Sequence, residues 1–164
     1  MTMIFIQIPS YNDPLIRLTL SQLSGQAKHP EDLRFGICWQ SDKPLEMQDP
    51  RIRVKHISLA ESRGVCFARS MANTLYDGED WVLQIDSHMT CEQYWDQTLL
   101  NMIERCDSPN PVISHYCPGV RQMGSAVPRS LVPRGWNHDD ILTIGRGPKV
   151  PPGSPMPGYL VSGQ

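Results

Sequence analysis

The chain is predicted to fold as an α/β protein with a mostly parallel central sheet and flanking helices. Three features of its 164 residues lead there. Short apolar runs alternate with stretches whose apolar residues recur at helical spacing. Helix-start and helix-stop residues fall between them, and several runs end abruptly in small or polar residues. Strands separated by helices in this way join in parallel through crossovers. The length suits one domain with a sizeable core and is short for two. No internal repeat is present.

The first apolar run, residues 3–8, is expected to be a strand closed by Pro9-Ser10-Tyr11-Asn12. Asp13-Pro14 then predicts a helix start, because Asp at the N-cap accepts a backbone N–H and Pro at the first helical position has none to lose. Leu15, Ile16, Leu20 and Leu23 carry its apolar face, and Gly25 supplies a stop. After the polar loop His29–Asp32, residues 33–39 read as a second strand. Residues 51–57, Arg-Ile-Arg-Val-Lys-His-Ile, alternate over most of their length and predict a strand near a sheet edge. A helix over 63–76 follows, with Val65, Ala68, Met71, Ala72 and Leu75 on one face and Asp77-Gly78 closing it. Trp81–Ile85 forms a buried strand ending at Asp86, and a helix over 92–105 turns Trp95, Leu99, Met102 and Ile103 inward. Residues 111–116 form one more strand.

From Cys117 the character changes. Pro118, Pro128, Pro133, Pro148, Pro151, Pro152, Pro155 and Pro157, with interspersed glycines, leave little room for regular structure. A long surface loop is expected, with residues 141–144 as a short strand inside it. The chain thus divides at 116/117. Tyr159-Leu160-Val161-Ser162-Gly163-Gln164 begins an apolar segment and stops, so the fold is expected to be incomplete at its C-terminal end.

A net charge of −2 argues against a general nucleic-acid or membrane-surface binder, which needs a basic excess. The five cysteines (Cys38, Cys66, Cys91, Cys106, Cys117) are scattered and lack CxxC spacing. They read as reduced, mostly buried thiols of a cytoplasmic protein. The opening residues have no basic stretch, and their apolar run is too short for a signal peptide or a membrane span.

The chemistry centres on Asp86-Ser87-His88. On an extended strand, residues two apart point to the same side, and ligands of open α/β sheets bind outside the carboxyl ends of the strands. A carboxylate and an imidazole there can share a divalent metal. An isolated Asp-x-His equally fits a plain strand end with a capping acid and a surface histidine, so its context decides. Upstream, Arg63 and Arg69 bracket a helix start at which Gly64 permits close backbone approach and free N–H groups favour an anion. Either arginine alone reads as a solvated charge. Ser10-Tyr11-Asn12-Asp13 offers a ring to stack on a base and polar atoms to read its edge, or simply a helix cap. Together these segments place a base site, phosphate donors and a metal carboxylate at one strand-end face.

The combination Arg63-Gly64, Ala68-Arg69, Gly78, Trp81–His88, Trp95 and Leu99-Leu100 resembles nucleotide-sugar glycosyltransferases of the GT-A fold. Retaining polypeptide GalNAc-transferases carry a similar Asp-x-His. The closer resemblance is to the GlcNAc-transferase family that includes eukaryotic cytoplasmic enzymes glycosylating hydroxyproline. It rests on Ile8-Pro9-Ser10-Tyr11-Asn12-Asp13-Pro14, on Lys28-His29-Pro30 with Leu33–Gln40, and on Glu61-Ser62-Arg63-Gly64. It covers residues 3–116, is weak through the proline-rich stretch and resumes at Gly158–Gln164.

The resemblance implies a metal-dependent transfer of GlcNAc from a UDP-sugar to a hydroxyl acceptor on protein or glycan, with retention of configuration. It implies that Ser10, Tyr11 and Asp13 hold the uridine, that Gln40 belongs to the nucleotide-sugar site, and that Arg63, Gly64 and Arg69 line it. Asp86, with His88, would bind Mn²⁺ (or Mg²⁺) on the donor pyrophosphate. An imidazole ligand suits Mn²⁺ better than Mg²⁺, which prefers oxygen. Residues 117–164 would then begin the acceptor side of the same domain. GT-A domains run longer than this chain, and their later half supplies most of the acceptor site and often a further metal-binding histidine. Here His115 and His138 lie downstream, in no matching motif. Two other classes fit the residues: a nucleotide-sugar-binding fragment without turnover, and another α/β metal enzyme, a nucleotidyltransferase or hydrolase, using Asp86 and His88.

Overall fold

In a computed structural model of the chain, residues 2–114 and 129–149 are described. The two central apolar runs become β1 (Ile4–Tyr11) and β2 (Leu33–Gln40), paired in parallel from Ile4 opposite Leu33 to Tyr11 opposite Gln40. β3 (Ile52–Ile57) lies outside β2 and β4 (Trp81–Gln84) outside β1, giving a four-stranded parallel sheet of order β3-β2-β1-β4. Flanked on both sides, β1 and β2 are buried almost throughout, which is why both read as unbroken apolar runs. β3 is an edge, as its alternation predicted.

The inner end of β4 is set by a proline. Trp81 N–H donates to the Met3 carbonyl and Ile85 N–H to the Gln7 carbonyl, so odd-numbered residues of β1 turn their backbone groups towards β4. Pro9 is the next such residue and has no N–H to offer. The β1–β4 ladder accordingly has Gln7–Gln84 as its last pair. Even-numbered residues keep bonding to β2, as far as Asn12 N–H on the Gln40 carbonyl at 2.8 Å. β1 therefore runs three residues past the expected 3–8 strand, while β4 stops short of Asp86. β4 is also not buried as expected. Having β1 as its neighbour in this sheet, it leaves Val82 52 % exposed.

Helix α2 (Val65–Asn73) lies against β1, β2 and β3, with Ala68 and Ala72 packed on Cys38. Close approach requires Gly36: a Cβ there would stand 2.2 Å from the buried Phe5 ring and 3.2 Å from the Ala72 carbonyl. Val65, expected inside, is exposed at the first turn. Helix α1 (Ile16–Gln26) starts later than Asp13-Pro14 suggested. Asp13 Oδ1 accepts Leu15 N–H at 2.9 Å, making a turn ahead of the helix, and Leu15 is left exposed. Ile16, Thr19, Leu20 and Leu23 form the buried face, and the helix passes through Gly25. At the start of α3 (Trp95–Glu104), Trp95 is buried, its indole N–H on the Leu23 carbonyl at 2.9 Å. Asp96 accepts the N–H groups of Lys28 and His29, both at 2.8 Å.

The chain divides into two compact units, Met1–Gln97 and Thr98–Gln164, with the boundary inside α3. In the second unit, β5 (Arg129–Trp136) and β6 (Leu142–Lys149) form an antiparallel hairpin with irregular register at two places. The loop expected there is thus partly strand, and the short strand expected at 141–144 is longer. Pro133 and Pro148 fit because every other N–H of a two-stranded ribbon points away from the partner strand. Residues 111–114 are not a strand, and 115–116 lie outside the described residues, as do 117–128 and 150–164. Among the described cysteines, Cys38 is buried, Cys91 and Cys106 are half-buried and Cys66 is exposed, so the expectation of mostly buried thiols is too broad. No described helix is long and apolar enough to cross a membrane.

Candidate functional site

Because all four strands of the first sheet run in parallel, their carboxyl ends share one edge. The segments that follow them carry the residues singled out above. Ser10-Tyr11-Asn12-Asp13 closes β1, Gln40 closes β2, Arg63-Gly64 lies between β3 and α2, and Asp86-Ser87-His88 follows β4. Such an edge is where an α/β sheet places its ligand.

A network of hydrogen bonds joins these segments. Gln40 Nε2 donates to the Ser10 carbonyl at 3.3 Å, and Ser62 Oγ donates to Gln40 Oε1 at 2.7 Å. Ser41 Oγ donates to Asn12 Oδ1 at 3.1 Å. The ends of β1, β2 and the β3–α2 connection are thereby tied together. Gln7 Nε2 donates to the Arg69 carbonyl at 2.8 Å and fixes α2 against β1. Two buried polar atoms of this region, Ser10 Oγ and Arg69 Nε, have no protein partner.

The β4 end is anchored twice. Asp13 Oδ2 accepts Ser87 Oγ at 2.6 Å and faces His88 Nδ1 at 2.8 Å. Burial pushes the Asp13 carboxyl up, but the Ser87 hydroxyl, His88 and the Leu15 N–H outweigh that and hold it below the usual carboxylate range. It is ionised at neutral pH. On the other side, Thr19 Oγ1 donates to the Ser87 carbonyl at 2.8 Å and accepts Met89 N–H at 3.0 Å. Sequence reasoning missed Thr19. Its mark was present all the same, as a polar residue on the buried face of α1 between Ile16 and Leu20.

Asp86 and His88 do not share a strand face. With β4 ended at Gln84, residues 86–88 form a turn-like segment to which strand alternation does not apply. Asp86 is exposed and its carboxylate comes within 3.9 Å of the Arg69 guanidinium, whereas His88 is held by Asp13. No group of three or more His, Cys, Asp or Glu side chains able to hold a metal occurs among the described residues. By donor type, a carboxylate such as Asp86 and an imidazole nitrogen such as His88 Nε2 are ligands that a divalent ion takes together with a bound molecule's oxygens.

Tyr11 stands 61 % exposed at the end of β1, a ring available for stacking. Arg63 is exposed, its guanidinium 5.6 Å from the Phe67 ring centre. Gly64 adopts φ +85° at the N-cap of α2, a conformation other residues rarely take, and no side chain caps that helix. Uncapped N–H groups at a helix start are of the kind that suits an anion. His138 sits in the β5–β6 turn beside Asp139, and His115 lies outside the described residues.

Fold and edge together define an α/β protein of Rossmann-like architecture with its polar site at the strand ends. A model of the family described as Glycosyltransferase (GlcNAc) matches residues 42–130, more than half of the chain, and the chain belongs to that family. The matched span takes in Arg63, Gly64, Arg69, Asp86 and His88, while Ser10–Asp13 and Gln40 precede it. No curated protein matches the chain.

Proposed function

We propose that this glycosyltransferase has a GT-A-type donor site and transfers GlcNAc from UDP-GlcNAc to a hydroxyl acceptor on protein or glycan, with metal dependence and retention of configuration. One observation carries the reading. The parallel sheet gathers a ring, a helix N-terminus flanked by two arginines, and an Asp-x-His segment at one edge, and hydrogen bonds between the strand-end segments, with the Arg69–Asp86 ion pair, connect them.

Within this reading, Tyr11 stacks on the uracil, and Ser10 with Gln40 holds the base end. Gly64 lets the pyrophosphate approach the α2 N–H groups. Arg63 and Arg69 offset the charge that accumulates on the nucleoside diphosphate as the glycosidic bond breaks. Asp86 and His88 would hold Mn²⁺ (or Mg²⁺), which supplies charge stabilisation on the leaving phosphates worth several kcal/mol without proton transfer. A retaining transfer needs no base from the protein, so none is assigned. The four described cysteines, all unbridged, fit a cytoplasmic setting.

Thermal shift of the full chain tests the proposal, using UDP and other nucleotides with and without Mn²⁺, followed by UDP release from UDP-GlcNAc in the presence of hydroxyl-bearing acceptors. The expected result is a UDP-selective, Mn²⁺-dependent rise that Asp86→Ala abolishes. A UDP-selective rise without UDP release would instead make the chain a donor-binding module. No UDP response would overturn the reading.

A further inference from the structure

The histidine of the Asp-x-His segment makes a contact that the donor-site reading does not use. His88 is separated from Asp13 by most of the first unit, yet its Nδ1 lies 2.8 Å from Asp13 Oδ2. The Asp13 carboxylate is well occupied by the protein itself. Oδ1 accepts Leu15 N–H at 2.9 Å, and Oδ2 accepts the Ser87 hydroxyl at 2.6 Å. Its side chain is 15 % exposed, against 56 % for His88. An ionised carboxylate has no proton to donate, so a neutral imidazole bonded to it must carry its own hydrogen on Nδ1. Nε2 is then the nitrogen with a lone pair.

We propose that Asp13 is a positioning residue for His88, fixing the ring through Nδ1–H so that the bare Nε2 is presented for a divalent cation beside Asp86. The inference rests on the donor-site reading and deepens it. It gives Asp13 a role through His88 in place of direct contact with uridine. A carboxylate behind a metal-binding histidine fixes the ring's tautomer and orientation and raises its basicity. The Ser87 bond to the same oxygen sets the height of the segment but leaves the ring's proton alone.

The test uses the full chain and two measurements. Long-range ¹H–¹⁵N correlation, without metal, reports which nitrogen of neutral His88 carries the proton. Calorimetric titration with Mn²⁺ in the presence of UDP compares wild type, Asp13→Asn and Ser87→Ala. The proposal expects Nδ1–H in wild type. It expects about ten- to a hundred-fold weaker Mn²⁺ binding in Asp13→Asn, and a change of less than about three-fold in Ser87→Ala, which keeps the Asp13–His88 bond. A proton on Nε2 in wild type, full Mn²⁺ affinity in Asp13→Asn, or an equal loss in Ser87→Ala would overturn it. Should Asp13→Asn fail to fold, the wild-type tautomer decides. Failure of the donor-site reading looks different: wild type then binds no Mn²⁺ with UDP, whatever the tautomer.

Discussion

Replacing Thr19 by Val separates hydrogen bonding from packing at the base of the site. The side chain is 1 % exposed, and its hydroxyl serves two backbone groups of the β4–α3 connection, the Ser87 carbonyl at 2.8 Å and the Met89 N–H at 3.0 Å. Val keeps the shape and removes both bonds. A buried group left unsatisfied costs about 1–3 kcal/mol; Ser87 is buried and Met89 half-buried, so Thr19→Val is expected to lose about 2–4 kcal/mol. Thr19→Ser keeps both bonds and deletes one methyl, for about 1 kcal/mol. Urea unfolding followed by tryptophan fluorescence reads this directly, since Trp39 and Trp95 are buried in the same unit. If Thr19 acted only through packing, the order would invert, with Val benign and Ser the weaker variant. Thr19→Val within about 0.5 kcal/mol of wild type, below the cost of a single unsatisfied group, would mean that neither bond contributes to stability.

Two other perturbations probe the frame of the site. Gly36→Ala places a Cβ 2.2 Å from the Phe5 ring and 3.2 Å from the Ala72 carbonyl. The same unfolding assay should show a loss of about 1–3 kcal/mol from overpacking, and a neutral result would mean that β1, β2 and α2 are less closely packed. Asp96 is nearly inaccessible. Burial raises its pKa, but the N–H groups of Lys28, His29 and Gln97, with its own, outweigh that and hold it below the usual range. A carboxyl lowered in the folded state binds fewer protons there than in the unfolded chain. Its stabilisation is therefore complete above the ordinary Asp pKa of about 3.9 and is lost as pH falls through the lowered value. Asp96→Asn should cost about 2–3 kcal/mol at neutral pH and flatten the acid limb of a stability–pH profile; an unchanged limb would count against this assignment.

Much of the first unit was legible because its signals are local. β1 and β2 are covered on both sides and so read as continuous apolar runs, β3 alternates because it is an edge, and α2 carries its apolar face at helical spacing. The common strand face expected for Asp86 and His88 was misjudged because strand alternation was extended past the point where Pro9, far away in sequence, ends the ladder. Leu15 and Val65 sit at helical spacing, but Leu15 precedes α1 and Val65 opens α2, and the fold leaves both exposed. The β5–β6 hairpin was hidden by its prolines, whose compatibility depends on which way each missing N–H points, and composition does not carry that. The links from Asp13 to Ser87 and His88 span more than seventy residues and are set by topology alone.

In the proposed donor site the strand-end edge binds a UDP-sugar through Asp86 and the arginines of α2 and its approach. Calorimetric titration of UDP-GlcNAc with Mn²⁺ into wild type, Asp86→Ala and Arg69→Gln tests it most directly. Wild type should bind in a Mn²⁺-dependent manner, Asp86→Ala should lose binding, and Arg69→Gln should weaken it at least ten-fold, about 1.4 kcal/mol or more. Binding that ignores Mn²⁺ and survives Asp86→Ala unchanged, or no binding to wild type, would contradict it.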